Sequence, residues 1–402
     1  MKEYMYTMTM SYREIKRVKE ELVKILRSRL SEEALRRALR DTHSRRAPRA
    51  CGLTVHVGIG CSNRCLYCYI QDMGFRFTET RPYPLSGLEL VAAIAHNPYI
   101  VPGIQGTYLA FGSISDPFYP TVVVKTLDYF NNIERFMRNP CQFSTKMTID
   151  DEVIEAMRRL DLVISPLVTI VTITRHRELE PRAPDPWTRF DTIRRLRKGG
   201  LQPFLFLRPL IPGIIENEID ELMDEAKRAG AVGVVIGGFR VTKTILRRLE
   251  RAGVKVDELR RRLRGRLRGT KQVNLNLRDL KELALEVAKE RGLIGLLSAC
   301  CAMTNVLNLH GYRLACANVC FAEGLCVLKK GYVCKARCPE KVPKVDEDDI
   351  KEAIEEVLKA RGLTHLYIDR EYIEVHARAL EYNEGALRFL QTVYRRRIVI
   401  RR

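Results

Sequence analysis

Between Leu53 and Ala252 the chain alternates six times between a short apolar, β-forming run and a longer segment, five of these with helical period and one, after the first strand, a cysteine loop. Few folds accommodate that order. The strand runs are Leu53–Val57, Thr107–Phe111, Cys141–Ser144, Val168–Ile173, Phe204–Leu207 and Val232–Ile236. The spacing predicts helices over Val122–Arg138, Asp150–Leu160, Trp187–Lys198, Glu216–Ala229 and Thr242–Ala252, with Gly199-Gly200 and Gly230 closing two of them. Strands separated by helices pair in parallel, so the expectation is an α/β fold built as a partial (β/α)6 barrel. In such a fold the loops after the strands carry the chemistry.

The loop after the first strand reads Gly60-Cys61-Ser62-Asn63-Arg64-Cys65-Leu66-Tyr67-Cys68-Tyr69. It is a CxxxCxxC motif with an aromatic just before the third cysteine. Three thiolates on one short loop can hold three irons of a 4Fe–4S cluster and leave the fourth without a protein ligand. An open iron is what S-adenosylmethionine needs to chelate through its amino and carboxylate groups. One electron then cleaves the sulfonium and releases a 5′-deoxyadenosyl radical. The competing readings are three ligands of a zinc site, which prefers four, and redox-active or disulfide-forming thiols.

The chain has 402 residues, 46% of them hydrophobic, enough for one large domain with appendages. No uncharged apolar stretch reaches the length of a membrane span, roughly eighteen residues. Met1–Met10 lacks the apolar run of a signal peptide, so a cytoplasmic location without membrane attachment is expected. Twelve cysteines would suggest disulfides in a secreted protein. Only six Gln among abundant Arg, Lys and Glu point instead to a hyperthermophile, where intracellular disulfides also occur.

The formal charge is +20, and the excess is concentrated. Arg240–Lys271 holds thirteen Lys or Arg against three acids, and Tyr394–Arg402 holds five Arg and no acid. Such clusters favour phosphate backbones through counterion release. The alternative is a solvated, thermostable surface with no partner.

Outside the alternating region, residues 11–41 read as one charged amphipathic helix, with Ile15, Val18, Leu22, Leu26 and Leu30 at helical spacing and a break at Arg45–Arg49. Beyond Gly253 come a basic helical stretch and a helix over Arg278–Arg291. A cysteine-rich segment, Cys300–Cys338, follows. Asp346–Lys359 and Ala377–Tyr394 both read as helices. The expected division is a helical segment over 1–50, a catalytic core over 51–252, a basic and cysteine-rich segment over 253–343, and a small helical or mixed segment over 344–402.

The cysteine-rich segment carries Cys300, Cys301, Cys316, Cys320, Cys326, Cys334 and Cys338. Cys316/Cys320 and Cys334/Cys338 are Cx3C pairs. Together with Cys326 they are candidate ligands of an auxiliary iron–sulfur cluster. A zinc site and disulfides are the alternatives. His310 sits among them, but a lone histidine is more often structural.

Four segments resemble the radical S-adenosylmethionine superfamily and, within it, the spore photoproduct lyase-like group. They are the cysteine loop, Gly112-Ser113-Ile114-Ser115-Asp116-Pro117-Phe118-Tyr119-Pro120, Phe143-Ser144-Thr145-Lys146, and the run from Thr172 through Leu179-Glu180-Pro181-Arg182-Ala183-Pro184 to Pro209-Leu210-Ile211-Pro212-Gly213. The likeness covers roughly Val55 to Val241. It implies that Cys61, Cys65 and Cys68 hold the cluster and that Tyr67 and Tyr69 flank it and S-adenosylmethionine. It also implies that Ser115 and Lys146 contact the polar groups of S-adenosylmethionine and that Thr172 reaches its ribose or carboxylate; Asp116, just before Pro117, is a further candidate, with turn initiation as the alternative. An electron donor such as ferredoxin or flavodoxin is implied as a partner.

One position departs from the pattern. The lyase carries a hydrogen-donating cysteine immediately before the Ser-Asp pair, and here Ile114 stands there. The resemblance therefore implies a member of the wider group and not the lyase, with Cys141 as a substitute donor or a small core residue. The expected function is radical modification of a nucleic acid, RNA before DNA. The alternatives are a peptide- or protein-modifying maturase and a non-catalytic, metal-stabilised nucleic-acid-binding protein.

Overall fold

The protein is described here by a computed structural model covering residues 11–75, 79–322, 324 and 326–401. Met1–Met10 and Arg402, both used in the readings above, lie outside the described residues.

The first helix opens on a capping box. Ser11 accepts from the Glu14 backbone at 3.3 Å, and Glu14 takes the Ser11 backbone N–H at 2.7 Å. The single helix expected over 11–41 is two, Tyr12–Arg29 and Glu32–Arg40. Leu30 is extended and Ser31 caps the second helix at the Ala34 amide. The apolar spacing of Leu26 and Leu30 conceals that cap.

The main sheet has seven strands: β1 Leu53–Val55, β2 Leu109–Phe111, β3 Cys141–Thr145, β4 Ile164–Thr169, β5 Phe204–Leu207, β6 Gly233–Ile236 and β7 Ile294–Leu296. Their order in space follows the chain, and every neighbouring pair is parallel. β1 and β7 are the two edges, so the barrel does not close. The α/β expectation holds, but the sheet has seven strands where the sequence shows six. β7 is three residues with a glycine at its centre, too short and too weak a signal to read. It registers on β6 through Ile294 opposite Gly233.

β4 also lies four residues earlier than the predicted Val168–Ile173. Leu162–Ile173 is an almost unbroken buried run. Pro166 suggests a strand boundary because proline cannot donate to a ladder. The structure instead keeps Pro166 inside β4, opposite Phe143 of β3.

The C-terminal segment is a second α/β unit. A three-stranded sheet of β8 Arg361–Ile368, β9 Tyr372–Ala379 and β10 Arg397–Arg401 packs on helices Glu347–Val357 and Glu384–Tyr394. The helix expected over Ala377–Tyr394 therefore begins only at Glu384, and Ala377–Ala379 is strand. The alternation of Ile373 and Val375, both fully buried, decides in favour of strand.

Helix Tyr12–Arg29 divides its apolar stripe between the two units. Leu22 and Leu26 enter the main core, while Tyr12 and Ile15 pack with Ile350, Ile354 and Phe389. Asp349 fastens the second contact, accepting from the Tyr12 amide at 2.9 Å and the Tyr394 hydroxyl at 3.0 Å. Among the described residues no helix is long and apolar enough to cross a membrane.

Candidate active site at the carboxyl ends of the strands

The segments singled out in the sequence converge where the strands end. The cysteine loop follows β1, Ser115 and Asp116 follow β2, Lys146 follows β3 and Thr172 follows β4. Gly112 makes the second of these turns possible. It has φ of 97°, and a Cβ there would stand 2.3 Å from the Ser144 carbonyl oxygen.

Within the loop, the Cys68 amide donates to the Cys65 carbonyl at 3.0 Å, and the Leu66 amide donates to the Leu179 carbonyl at 2.9 Å. The loop is thus tied to a segment more than a hundred residues away. Glu180 makes the tie electrostatic. Its fully buried carboxylate pairs with the fully buried Arg189 at 2.5 Å and lies 3.8 Å from the Lys146 ammonium. It also accepts from the Tyr67 hydroxyl. Arg189 spends its other donors on the carbonyls of Pro184 (2.7 Å) and Thr169 (3.1 Å). Burial alone would raise Glu180, but Arg189 and Lys146 hold it below the ordinary carboxylate value. Lys146 sits 5.5 Å from the Tyr67 ring centroid. Burial works against its charge, while Cys65 and Glu180 raise its pKa above the ordinary lysine value.

A second brace comes from the basic stretch. Arg248 donates to the Cys68 carbonyl at 2.9 Å and to the Gln71 side chain at 3.1 Å. Tyr119 places its hydroxyl 3.9 Å from the Cys61 sulfur. Sequence reasoning assigned no role to Arg189, counted Arg248 only within the basic stretch and saw Tyr119 only within a motif. Glu180 was visible only as part of a motif.

Three expected contacts of S-adenosylmethionine are already engaged by the protein. Asp116 accepts from the Thr145 hydroxyl (2.6 Å), the Lys146 amide (2.7 Å) and the Phe118 amide (3.1 Å), so it fixes the turn that presents Lys146. Thr172 is fully buried, donating to Glu218 at 3.0 Å and accepting from the Arg175 amide at 3.1 Å. In that geometry Asp116 forms the turn at Pro117, and Thr172 is held between Glu218 and the Arg175 amide. Ser115 donates to the Gly58 carbonyl at 3.0 Å and keeps only its lone pairs. Ile114 is buried. Cys141 opens β3 at its amino end, buried and bonded to the Asn139 carbonyl, so it is core and not a donor at the strand ends.

Beside this constellation a cavity of about 210 Å³ opens past the ends of β5, β6 and β7. Arg208, Arg240 and Lys281 line it with Phe206, Asn274 and Ser298. No carboxylate pairs with those three cations among the described residues. Gly237 admits the stem of Arg208, whose Cγ would lie 2.4 Å from any Cβ there. Burial lowers the pKa of Lys281, and the neighbouring charges of Arg264, Arg208 and Lys330 lower it further.

Residues 55–226 match the family model of the Radical SAM superfamily. This part of the chain is a radical SAM domain. An uncharacterised protein of Acidianus two-tailed virus is 23% identical over 203 residues, covering 46% of this chain and 64% of the relative. An uncharacterised protein of Mycobacterium tuberculosis is 22% identical over 200 residues, covering 47% of this chain and 58% of the relative. The chain thus spans less than two thirds of the curated relatives it matches. A spore photoproduct lyase variant with bound AdoMet and dinucleoside spore photoproduct shares the fold, with 16% identity and a TM-score of 0.51 over 63% of this chain and 77% of that one.

Radical SAM proteins use a 4Fe–4S cluster and S-adenosylmethionine, and the residues of this domain fit that pair. The donor set is three soft thiols on one loop. Burial pushes Cys65 up to about 12 and Cys61 up to about 11.

The radical SAM domain is joined by the other cysteines. All twelve are free thiols. The neighbouring side chains of Cys301, Cys316 and Cys320, and also of Cys51, which precedes β1 and was in no sequence group, raise the Cys300 thiol well above its ordinary value. Cys326 and Cys334 lie close enough to influence one another electrostatically.

Proposed function

We propose that this chain is a radical SAM enzyme that modifies a nucleic acid, with RNA as the first candidate. Cys61, Cys65 and Cys68 would hold the cluster. With both groups bound, the cluster would supply the electron for reductive cleavage of S-adenosylmethionine, whose adenosyl part would provide the hydrogen-abstracting chemistry at this site. Lys146 would meet the carboxylate of S-adenosylmethionine by a charge-assisted bond. Tyr67 and Tyr69 would wall that site, and the Glu180–Arg189 pair would hold Tyr67 and Lys146 in place. Asp116 acts through Lys146 as a positioning residue. An external electron donor such as ferredoxin or flavodoxin is required by this chemistry.

The observation that carries the substrate class is the cavity with three cations and no acid. Arg264 lies beside it, its amide donating to the Asn274 carbonyl at 2.9 Å, and Arg264, Arg266, Arg268 and Lys271 are exposed. The rest of the basic stretch is less available. Arg260 pairs with Asp257 (3.0 Å), Arg261 with Glu258 (2.8 Å) and Arg262 with Asp279 (2.7 Å). In the tail, Arg395 and Arg396 are buried and donate to backbone carbonyls, which leaves Arg397 and Arg401 as its exposed arginines among the described residues.

The test is binding of a structured RNA hairpin and a DNA duplex of the same sequence across a salt series, with wild type and an R208Q/R240Q/K281Q variant. The expected result is affinity falling with salt. The log–log slope should be shallower by about two to three in the variant, because three phosphate contacts are lost. Equal slopes would remove the cavity as a phosphate site. Binding indifferent to salt would remove nucleic acid and favour a peptide substrate.

A further inference from the structure

The fold gathers eight thiols from separate parts of the chain. Cys51 lies before β1, Cys300 and Cys301 open helix Ala299–Leu309, and the other five lie in the irregular segment after that helix. The helix is fixed against the sheet. Gln142 of β3 donates to the Ala299 carbonyl at 2.9 Å, and the hydroxyls of Tyr108 and Thr304 are 3.0 Å apart.

Ser298 links the two ends of the group. Its hydroxyl is 3.4 Å from the Cys51 sulfur and 3.2 Å from the Cys300 sulfur. Cys301, Cys316 and Cys320 are near enough to Cys300 to raise its thiol above the ordinary value. Three N–H groups point at sulfurs: the Cys316 amide at Cys338 (3.3 Å), Asn305 Nδ2 at Cys334 (3.4 Å) and Asn318 Nδ2 at Cys320 (2.7 Å). Donors aimed at sulfur suit thiolates, and hydrogen bonds to sulfur are one of the means by which a protein tunes an iron–sulfur centre. Cys300, Cys316, Cys334 and Cys338 are all buried.

No three Cys, His, Asp or Glu side chains among the described residues are arranged to enclose a single metal ion. A structural zinc needs four ligands at about 2.0–2.3 Å from one centre. A cluster asks for something looser, because each thiolate takes its own iron.

We propose that this group is a second iron–sulfur site and that Cys51, from outside the cysteine-rich segment, is one of its ligands. Each ligating thiol releases its proton to solvent as it binds iron. Ser298 lines the cationic cavity and also contacts Cys51 and Cys300. The second site therefore borders the place proposed for the substrate. The inference does not depend on the substrate reading, since its test needs neither substrate nor turnover.

The experiment starts from the full chain carrying C61A/C65A/C68A, which removes the ligands of the radical SAM cluster. After anaerobic reconstitution with iron and sulfide, iron and zinc are counted per chain and the dithionite-reduced sample is read by electron paramagnetic resonance. At least about four irons and a reduced-cluster signal are expected. Adding C300A should abolish the signal, and adding C51S should lower the iron count or change the g-values. S298A keeps every thiol and separates ligand loss from misfolding. It should retain the iron and shift the signal. Stoichiometric zinc without iron, or neither metal, in the triple variant would overturn the proposal. Iron and signal unchanged by C51S would remove Cys51 from the ligand set.

Discussion

The two cysteine groups of this protein are assembled in opposite ways. The first is local. Its three thiols share one loop after β1, and the rest of the protein supplies only braces: Leu179, Glu180 with Arg189, and Arg248. The second is global. Its members run from Cys51 to Cys338 and meet only when β1, β7 and the following helix are in place. A local group is written in the spacing of the sequence and tolerates change elsewhere. A global group reports on the completeness of the fold, and a defect far away disperses it.

The sharpest way to test the contrast is to empty the local group. In the C61A/C65A/C68A variant, deoxyadenosine formation after reduction should fall to the protein-free background while the far-ultraviolet dichroism is unchanged. Residual cleavage would mean that the loop is not the radical-generating site.

The braces come next. Glu180→Gln leaves Arg189 buried without its counter-charge, which typically destabilises by about 3–5 kcal/mol. Chemical denaturation of the metal-free protein should show a correspondingly lower midpoint. An unchanged midpoint would mean that Glu180 is not a structural anchor of the loop.

Arg248→Met removes two hydrogen bonds from the loop and leaves the second group untouched. A loss of about 1–3 kcal/mol of local stability is expected. It should be seen as faster oxidative bleaching of the first cluster, with the signal of the C61A/C65A/C68A background unaffected by the same substitution. Equal effects on both sites would erase the distinction between them.

The smallest effect concerns the segment that leads into β1 and so serves both groups. Burial would raise the pKa of Asp41, but hydrogen bonds from His43 and Tyr83 bring it down to about 2. A carboxylate lowered in the fold stabilises above its unfolded value, near 4, and that contribution disappears as pH falls through about 2. The metal-free wild type should therefore lose about 1–2 kcal/mol over that window, reduced for partial exposure of the site. Asp41→Asn should be less stable at neutral pH and lack that portion of the acid dependence. Parallel pH profiles would assign the acid transition elsewhere.

These contrasts also explain what could be read in advance. The first six strands and the cysteine loop depend on near neighbours in the chain, and they were legible. β7 was hidden because Ile294-Gly295-Leu296 draws its stability from β6. Asp116 and Thr172 were recognised as site candidates, but their partners within the protein, Thr145 and Glu218, could not be read from the sequence. Charge density could be counted at Arg395 and Arg396, whereas their burial under backbone carbonyls could not. Cys51 had no local signal at all.

The divided helix Tyr12–Arg29 has a consequence for the making of the protein. Its partner Asp349 is 337 residues further along the chain. During synthesis, then, the first helix can settle one side against the growing main core but must leave Tyr12 and Ile15 uncovered until the last unit emerges. Exposed apolar surface of that kind is what chaperones hold and what nascent chains aggregate through. Long-separation contacts also close slowly. Completion of the C-terminal unit is thus the event that finishes the N-terminal helix.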